Sequence, residues 1–223
     1  IGMDCAVGPE GSAIAGLWFL EDLNITSAVA DVMTAHLGNG VHLYEHGVIS
    51  FSNQLAKDCG VKKGMSVKEA ALLLLTIDTA NMSSAETTNR TIMQTSSDGR
   101  HVVATDSIAF ATEEDSERNV LVTAGHTGRS AVPYLLKSKP WGFICSDGGR
   151  GMDDSGIAGL IIVEEFGLAG ATVDAKLARM GSGLSHYHDG VISAVNSHAQ
   201  TRGVEVGMSA SEASSILLQK AQL

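Results

Sequence analysis

Aromatic residues are scarce in this chain: five Phe, three Tyr and two Trp among 223 residues, or 4%. That leaves few platforms for stacking on bases or sugar rings. Cysteine is scarcer still. Cys5, Cys59 and Cys145 are odd in number, scattered and without CxxC spacing, which suits a reducing compartment better than a disulfide framework. There is no Lys/Arg-rich run, and the formal charge is −10 with a pI near 5.1. Nucleic acids and anionic membranes are held by basic patches, so neither is an expected partner. No apolar run approaches the ~18 residues needed to cross a bilayer, and no basic-then-apolar segment opens the chain. These absences lead to the expectation of a soluble, cytoplasmic protein.

What remains is ordinary globular composition, 44% hydrophobic and 18% charged. The length suits one large domain or two small ones with a proper core. Glycine is plentiful at 25 residues. The chain opens on Ile1, which reads as a trimmed or processed start.

The organisation follows from self-similarity. Shifted by 143 positions, residues 1–75 lie on residues 144–218 without a gap, with 30 identities in the 75 pairs. Gly47-Val48-Ile49-Ser50 recurs as Gly190-Val191-Ile192-Ser193, and Ile14-Ala15-Gly16-Leu17 as Ile157-Ala158-Gly159-Leu160. Seven glycine pairs fall at matched positions, among them Gly8/Gly151, Gly16/Gly159 and Gly40/Gly183. The expected domains are therefore a first copy at 1–75, a polar insert with one short strand at 76–118, and a second copy at 119–223 extended by a βα unit. That extra unit, the β-branched run Asn119–Ala124, a glycine turn and an apolar stretch to Leu136, has no counterpart in the first copy. The counterpart either was lost or lies upstream of Ile1.

Within the second copy, short unbroken apolar runs alternate with helical periodicity. Trp141–Ser146 and Ala169–Val173 read as strands, each closed by an acid, Asp147 and Asp174. Asp153, Asp154 or Ser155 can cap a helix with apolar positions at 157, 160, 161 and 163, ending at Gly167. Gly181–Gly183 reads as a loop, residues 188–201 as a helix, and Ser209-x-x-Glu212, like Ser66-x-x-Glu69, as a capping box. The predicted fold class is α/β: two homologous βαβα-type repeats related by a pseudo-twofold duplication, with parallel strands covered by helices.

In open α/β sheets ligands gather at the carboxyl ends of the strands, which directs attention to three loops. The first is Gly125-His126-Thr127-Gly128-Arg129-Ser130. A glycine turn entering a helix offers backbone N–H groups to a carboxylate or phosphate, with Arg129 as a clamp and His126 as proton donor or acceptor. It is neither a GxxxxGK[ST] nor a GxGxxG motif, and it also fits a plain tight turn.

The second loop runs from Asp147 to Ser155 and carries Asp147, Asp153 and Asp154 among Gly148, Gly149 and Gly151, with Arg150 as a further ligand-binding candidate. Clustered carboxylates can hold a divalent metal ion or raise one another's pKa for acid–base work, although Asp and Ser are also ordinary helix caps. The third loop carries His186, Tyr187, His188 and Asp189; HxH puts both imidazoles on one side only in an extended chain. Arg150, Asp154, Arg179 and His188 occur in the second copy alone.

The N-x-[ST] sequons at Asn24, Asn81 and Asn89 read as coincidence, and there is no GxSxG elbow or activated cysteine. The expected function is an enzyme acting on a small anionic metabolite, bearing a carboxylate or phosphate, by hydrolysis, elimination or isomerisation rather than redox chemistry. His126, Asp147 and His188 are the candidate catalytic residues. Gly125, Thr127, Gly128, Arg129, Ser130 and Arg150 are the candidate ligand-binding residues. Asp147, Asp153 and Asp154 are the candidate metal ligands. The active form is expected to be a homo-oligomer. The alternative is a non-catalytic ligand-binding or assembly protein built from a duplicated α/β unit.

Overall fold

The computed structural model describes residues 1–77 and 89–219. The polar stretch 78–88, including the sequon at Asn81, lies outside the described residues. The fold is mixed α/β, with one three-stranded and one six-stranded sheet. No helix among the described residues is long and apolar enough to cross a membrane.

The smaller sheet takes β1 (Gly2–Met3), β2 (Ala28–Ala30) and β3 (Ile49–Ser52) in that order. Its buried Ala28, Ala30 and Ile49 pack on Ala56 of α3 (Gln54–Asp58) and on Val67 and Ala70 of α4 (Val67–Leu74). Two further helices, α1 (Gly16–Asp22) and α2 (Gly40–His46), complete this half. The capping box expected at Ser66 and Glu69 closes the start of α4.

The larger sheet runs in chain order: β4 (Arg90–Thr95), β5 (His101–Thr105), β6 (Val120–His126), β7 (Gly142–Ser146), β8 (Gly170–Val173) and β9 (Ile192–Val195). Strand residues alternate between its faces. Val120, Val122, Ile144, Ala171 and Val173 bury one face against Tyr187 of α7 (Gly183–His188), Ala199 of α8 (Ser197–Thr201) and Ala213 and Leu217 of α9 (Ala210–Leu218). Leu121, Phe143 and Cys145 bury the other against Leu135 of α5 (Val132–Ser138) and Leu160 and Val163 of α6 (Ala158–Glu164).

Four expectations change. The sheet is not wholly parallel: β5 to β8 are, but β4 and β9 run antiparallel to their neighbours, as does β3 against β2. The reason at β9 is where α7 sits. Helix α7 lies across the carboxyl ends of β5 and β6, with Gly183 against Thr105, so the chain stays at that end and re-enters the sheet from it. Secondly, residues 188–201 are not one helix but the end of α7, β9 and α8. Pairing of β-branched Ile192 and Val195 with Val173 and Ala171 decides the matter over local periodicity. Thirdly, the segment read as an insert with one strand supplies two, β4 and β5. Lastly, no side chain caps α6: Ser155 Oγ instead accepts the Leu37 N–H at 2.9 Å.

Two features recur at positions 143 apart. Ala28, Val29 and Ala30 pair with Ser52, Phe51 and Ile49; Ala171, Thr172 and Val173 pair with Val195, Ala194 and Ile192, and both ladders shift register at the same step. Asn53 Oδ1 accepts from Ser27 and Ala56 N–H while Nδ2 donates to the Leu17 and Ile25 carbonyls. Asn196 repeats all four bonds with Gly170, Ala199, Leu160 and Leu168.

Candidate functional site

The parallel strands deliver a polar residue at each carboxyl end: Asp106 after β5, His126 at the end of β6, Asp147 after β7 and Asp174 after β8. Asp147 is almost wholly buried, and its Oδ1 accepts from Gly149 N–H at 2.8 Å and Ala175 N–H at 3.0 Å. Asp4, its counterpart, clamps Ala6 and Val32 in the same way, at 3.2 and 3.1 Å. Neither acid has a hydrogen bond on Oδ2 among the described residues.

Between these acids the backbone turns left-handed. Cys5, Ala6, Val7 and Gly8 have φ of 41°, 60°, 69° and 69°; Gly148, Gly149, Arg150 and Gly151 have 62°, 78°, 66° and 69°. Gly148 and Gly149, unpaired in the self-alignment and so attractive as a chemical loop, are thus explained by conformation. The first half bends likewise with three non-glycine residues, and β-branched Val7 is an outlier for this region. Cys5 is held here by burial and by the neighbouring Asp4 and Asp147, which push its thiol up to about 12. It is inert as a nucleophile.

His126 Nδ1 accepts the Gly128 N–H at 3.0 Å, so the ring proton sits on Nε2, and burial lowers its pKa. The Thr127 N–H and Oγ1 are both spent on the Ser146 carbonyl, at 3.0 Å each. The Thr127 and Gly128 amides are therefore consumed inside the protein and do not form the anion cradle the sequence suggests. Gly125 borders open space, since a Cβ there would meet nothing within 4 Å. Arg129 and Ser130 are exposed, and Arg129 has neither an ion pair nor a side-chain hydrogen bond among the described residues.

The acidic turn does not converge. Asp153 Oδ2 reaches His36 Nε2 at 2.8 Å, Asp154 Oδ1 holds Arg150 Nε at 2.8 Å, and Asp147 faces inward. No three His, Cys, Asp or Glu residues among those described are grouped to hold a metal ion. Arg179 pairs with Glu10 at 2.5 Å, the matched equivalent of His36 with Asp153, so its presence in one copy reflects a bridge between the halves.

His188 is exposed at the end of α7, its ring edge on Tyr187 with centroids 5.0 Å apart. The histidine that meets the acids is His186, which is fully buried. Its Nδ1 donates to the Ser182 carbonyl at 3.1 Å, leaving Nε2 as an acceptor without a partner among the described residues. Burial lowers its pKa, opposed by the Ser182 and Arg179 carbonyls and by the carboxylates of Asp147 and Asp106. Those two acids end the strands on either side of β6, and α7 packs across the ends of β5 and β6. The sequence signal was available: His186 stands where the first copy has Leu43, an apolar and therefore inward position.

A second polar cluster sits on the first half, where His36 stacks on His42 with centroids 4.0 Å apart and His46 lies tilted against His42 at 4.4 Å. Separate surface clefts of about 500 Å³ lie elsewhere, one lined by Ile108, Thr112, Tyr134 and Lys137. Comparison with known protein families, with curated proteins and with solved structures finds no match.

Proposed function

We propose that the carboxyl edge of the six-stranded sheet is an acid–base site for a small molecule bearing a carboxylate or phosphate. The observation that carries this reading is His186: a buried imidazole with an unpartnered Nε2 lone pair, set among Asp106, Asp147 and the end of β6. Such a group accepts a proton readily only from a partner brought to it, which is the arrangement of a general base. His126, with its proton on Nε2, is the complementary donor. Arg129, exposed and without an ion pair among the described residues, supplies the positive charge for the anion, and the open space beside Gly125 admits it. His188 takes no part in this version. A metal ion is not required by it.

The test is a panel of small carboxylates and phosphate esters, read by ligand-observed NMR and by turnover. Gly125→Leu fills the open space and is expected to abolish binding while the circular dichroism spectrum stays native. Arg129→Gln is expected to weaken binding about tenfold, the loss of one charge-assisted contact. Binding that survives Gly125→Leu would place the ligand elsewhere and end this reading.

A second reading, a duplicated unit whose role is assembly or ligand holding without catalysis, is favoured by the matched bridges His36–Asp153 and Glu10–Arg179. We infer the duplication itself from the 30 identities, from the shared ladder register and from the repeated bonds of Asn53 and Asn196. Binding unchanged in kind but without turnover, in both wild type and His186→Asn, would select this reading.

A further inference from the structure

The two halves differ in what covers them. The outer edge of β7 is paired with β6 from Val120↔Gly142 to His126↔Ser146. At the matched place β1 pairs with β2 alone among the described strands. Helix α7 buries Gly183, Ser185, His186 and Tyr187 on the ends of β5 and β6, whereas α2 buries none of its residues. The glycines repeat the contrast. A Cβ on Gly159 would come within 2.5 Å of the Thr127 carbonyl oxygen, and one on Gly183 within 2.5 Å of the Thr105 carbonyl oxygen. On Gly16 and Gly40, their counterparts, a Cβ would meet nothing within 4 Å among the described residues.

A glycine in the first turn of a helix costs up to about 1 kcal/mol against alanine. At Gly159 and Gly183 close backbone approach explains it. At Gly16 and Gly40 no neighbour among the described residues does. The bare β1 edge, the bare face of α2 and the two unexplained glycines all lie where β5, β6 and the Thr127–Gly128 turn sit in the other half.

We infer that this face of the first half is the seat of a strand–turn–helix unit of the kind formed by residues 101–138, and that the unit belongs to the same polypeptide, ahead of Ile1. The inference rests on the duplication reading. The covalent source follows from chain order: in the second half the unit leads into β7 through residues 139–141 alone, so a duplicated arrangement sets its partner directly before β1. The incoming strand adds in parallel to β1, its turn carbonyl lies against Gly16, and the strand beside it ends against Gly40. An edge extended this way satisfies the free N–H and C=O groups of β1.

The experiment takes the protein as its own gene encodes it, measures its intact mass, and follows amide exchange and thermal unfolding beside the 223-residue chain. The expected result is a mass well above 23.2 kDa, with exchange at Gly2 and Met3 slowed at least tenfold relative to the shorter chain. Gly16→Ala and Gly40→Ala are expected to lower the Tm of the longer protein and to leave that of the 223-residue chain unchanged or raised. A native mass of 23.2 kDa overturns the inference, as does a longer protein in which both substitutions are neutral. Slowed exchange at Met3 that depends on protein concentration would assign the face to a second copy and overturn it too. None of these results bears on the duplication itself, which is tested by the equivalence of Asn53 and Asn196.

Discussion

Gly159 presses its backbone against Thr127: its N–H donates to the Thr127 carbonyl at 2.7 Å, and the space a Cβ would need is already filled by that same oxygen. This contact seats α6 on the turn that follows β6. In the 223-residue chain, Gly159→Ala is expected to destabilise by about 1–3 kcal/mol, the usual cost of overpacking. Gly16→Ala, at the matched position, is expected to be neutral or to stabilise by up to about 1 kcal/mol through helix propensity. Urea denaturation of the two variants checks the pair; equal effects would contradict the packing difference.

Asn53 and Asn196 each cap a helix and tie down two buried carbonyls. Truncating either leaves buried N–H and C=O groups without partners, so Asn53→Ala and Asn196→Ala are each expected to cost about 2–4 kcal/mol. The two losses should agree within about 1 kcal/mol, because the networks are the same bond for bond. Chemical denaturation at one pH measures both; a harmless Asn196→Ala would mean that the loops it ties are held by something else.

Burial lowers the pKa of His186 in the folded protein below the ordinary 6.5. The unfolded chain then binds the proton more readily, so the stability this residue contributes is present above 6.5 and is lost as the pH falls through and below that value. His126 acts in the same direction. His186→Asn, whose amide can still donate to the Ser182 carbonyl, is expected to flatten the decline in Tm between neutral and mildly acidic pH. An unaltered pH profile in that variant would show that His186 is protonated at little cost.

Cys5 and Cys145 are buried, and burial pushes their thiols up to about 12 and about 11. Cys59 is partly exposed. Labelling with a thiol reagent at neutral pH is therefore expected to modify one cysteine rapidly and the other two only on denaturation. Rapid modification of Cys5 would show that the turn between Asp4 and Gly8 opens in the native state.

Much of the fold was legible along the chain. The strands at 120–126, 142–146 and 170–173 are unbroken apolar runs bounded by acids or glycines, and burial on both faces leaves such runs no other use. The self-similarity at a shift of 143 was legible because turns, caps and core positions restrict residue choice, as at Asn53 and Asn196. The candidate site was legible only in outline. His126 and Asp147 stand at strand ends, as their place after apolar runs suggests, whereas which way His186 and His188 turn, two positions apart on a short helix, depends on what the helix lies against.

Direction, partnership and strain were decided in three dimensions. That β9 returns antiparallel depends on α7 lying across the strand ends; that Asp153 and Glu10 meet His36 and Arg179 depends on the two halves facing each other. The glycines make the division plain. Composition and spacing determine that fourteen of the 25 stand in pairs 143 positions apart. Only the tertiary structure distinguishes Gly159, locked against a neighbouring carbonyl, from Gly16, which faces open space, because a contact with residues distant in sequence leaves no mark on the local pattern.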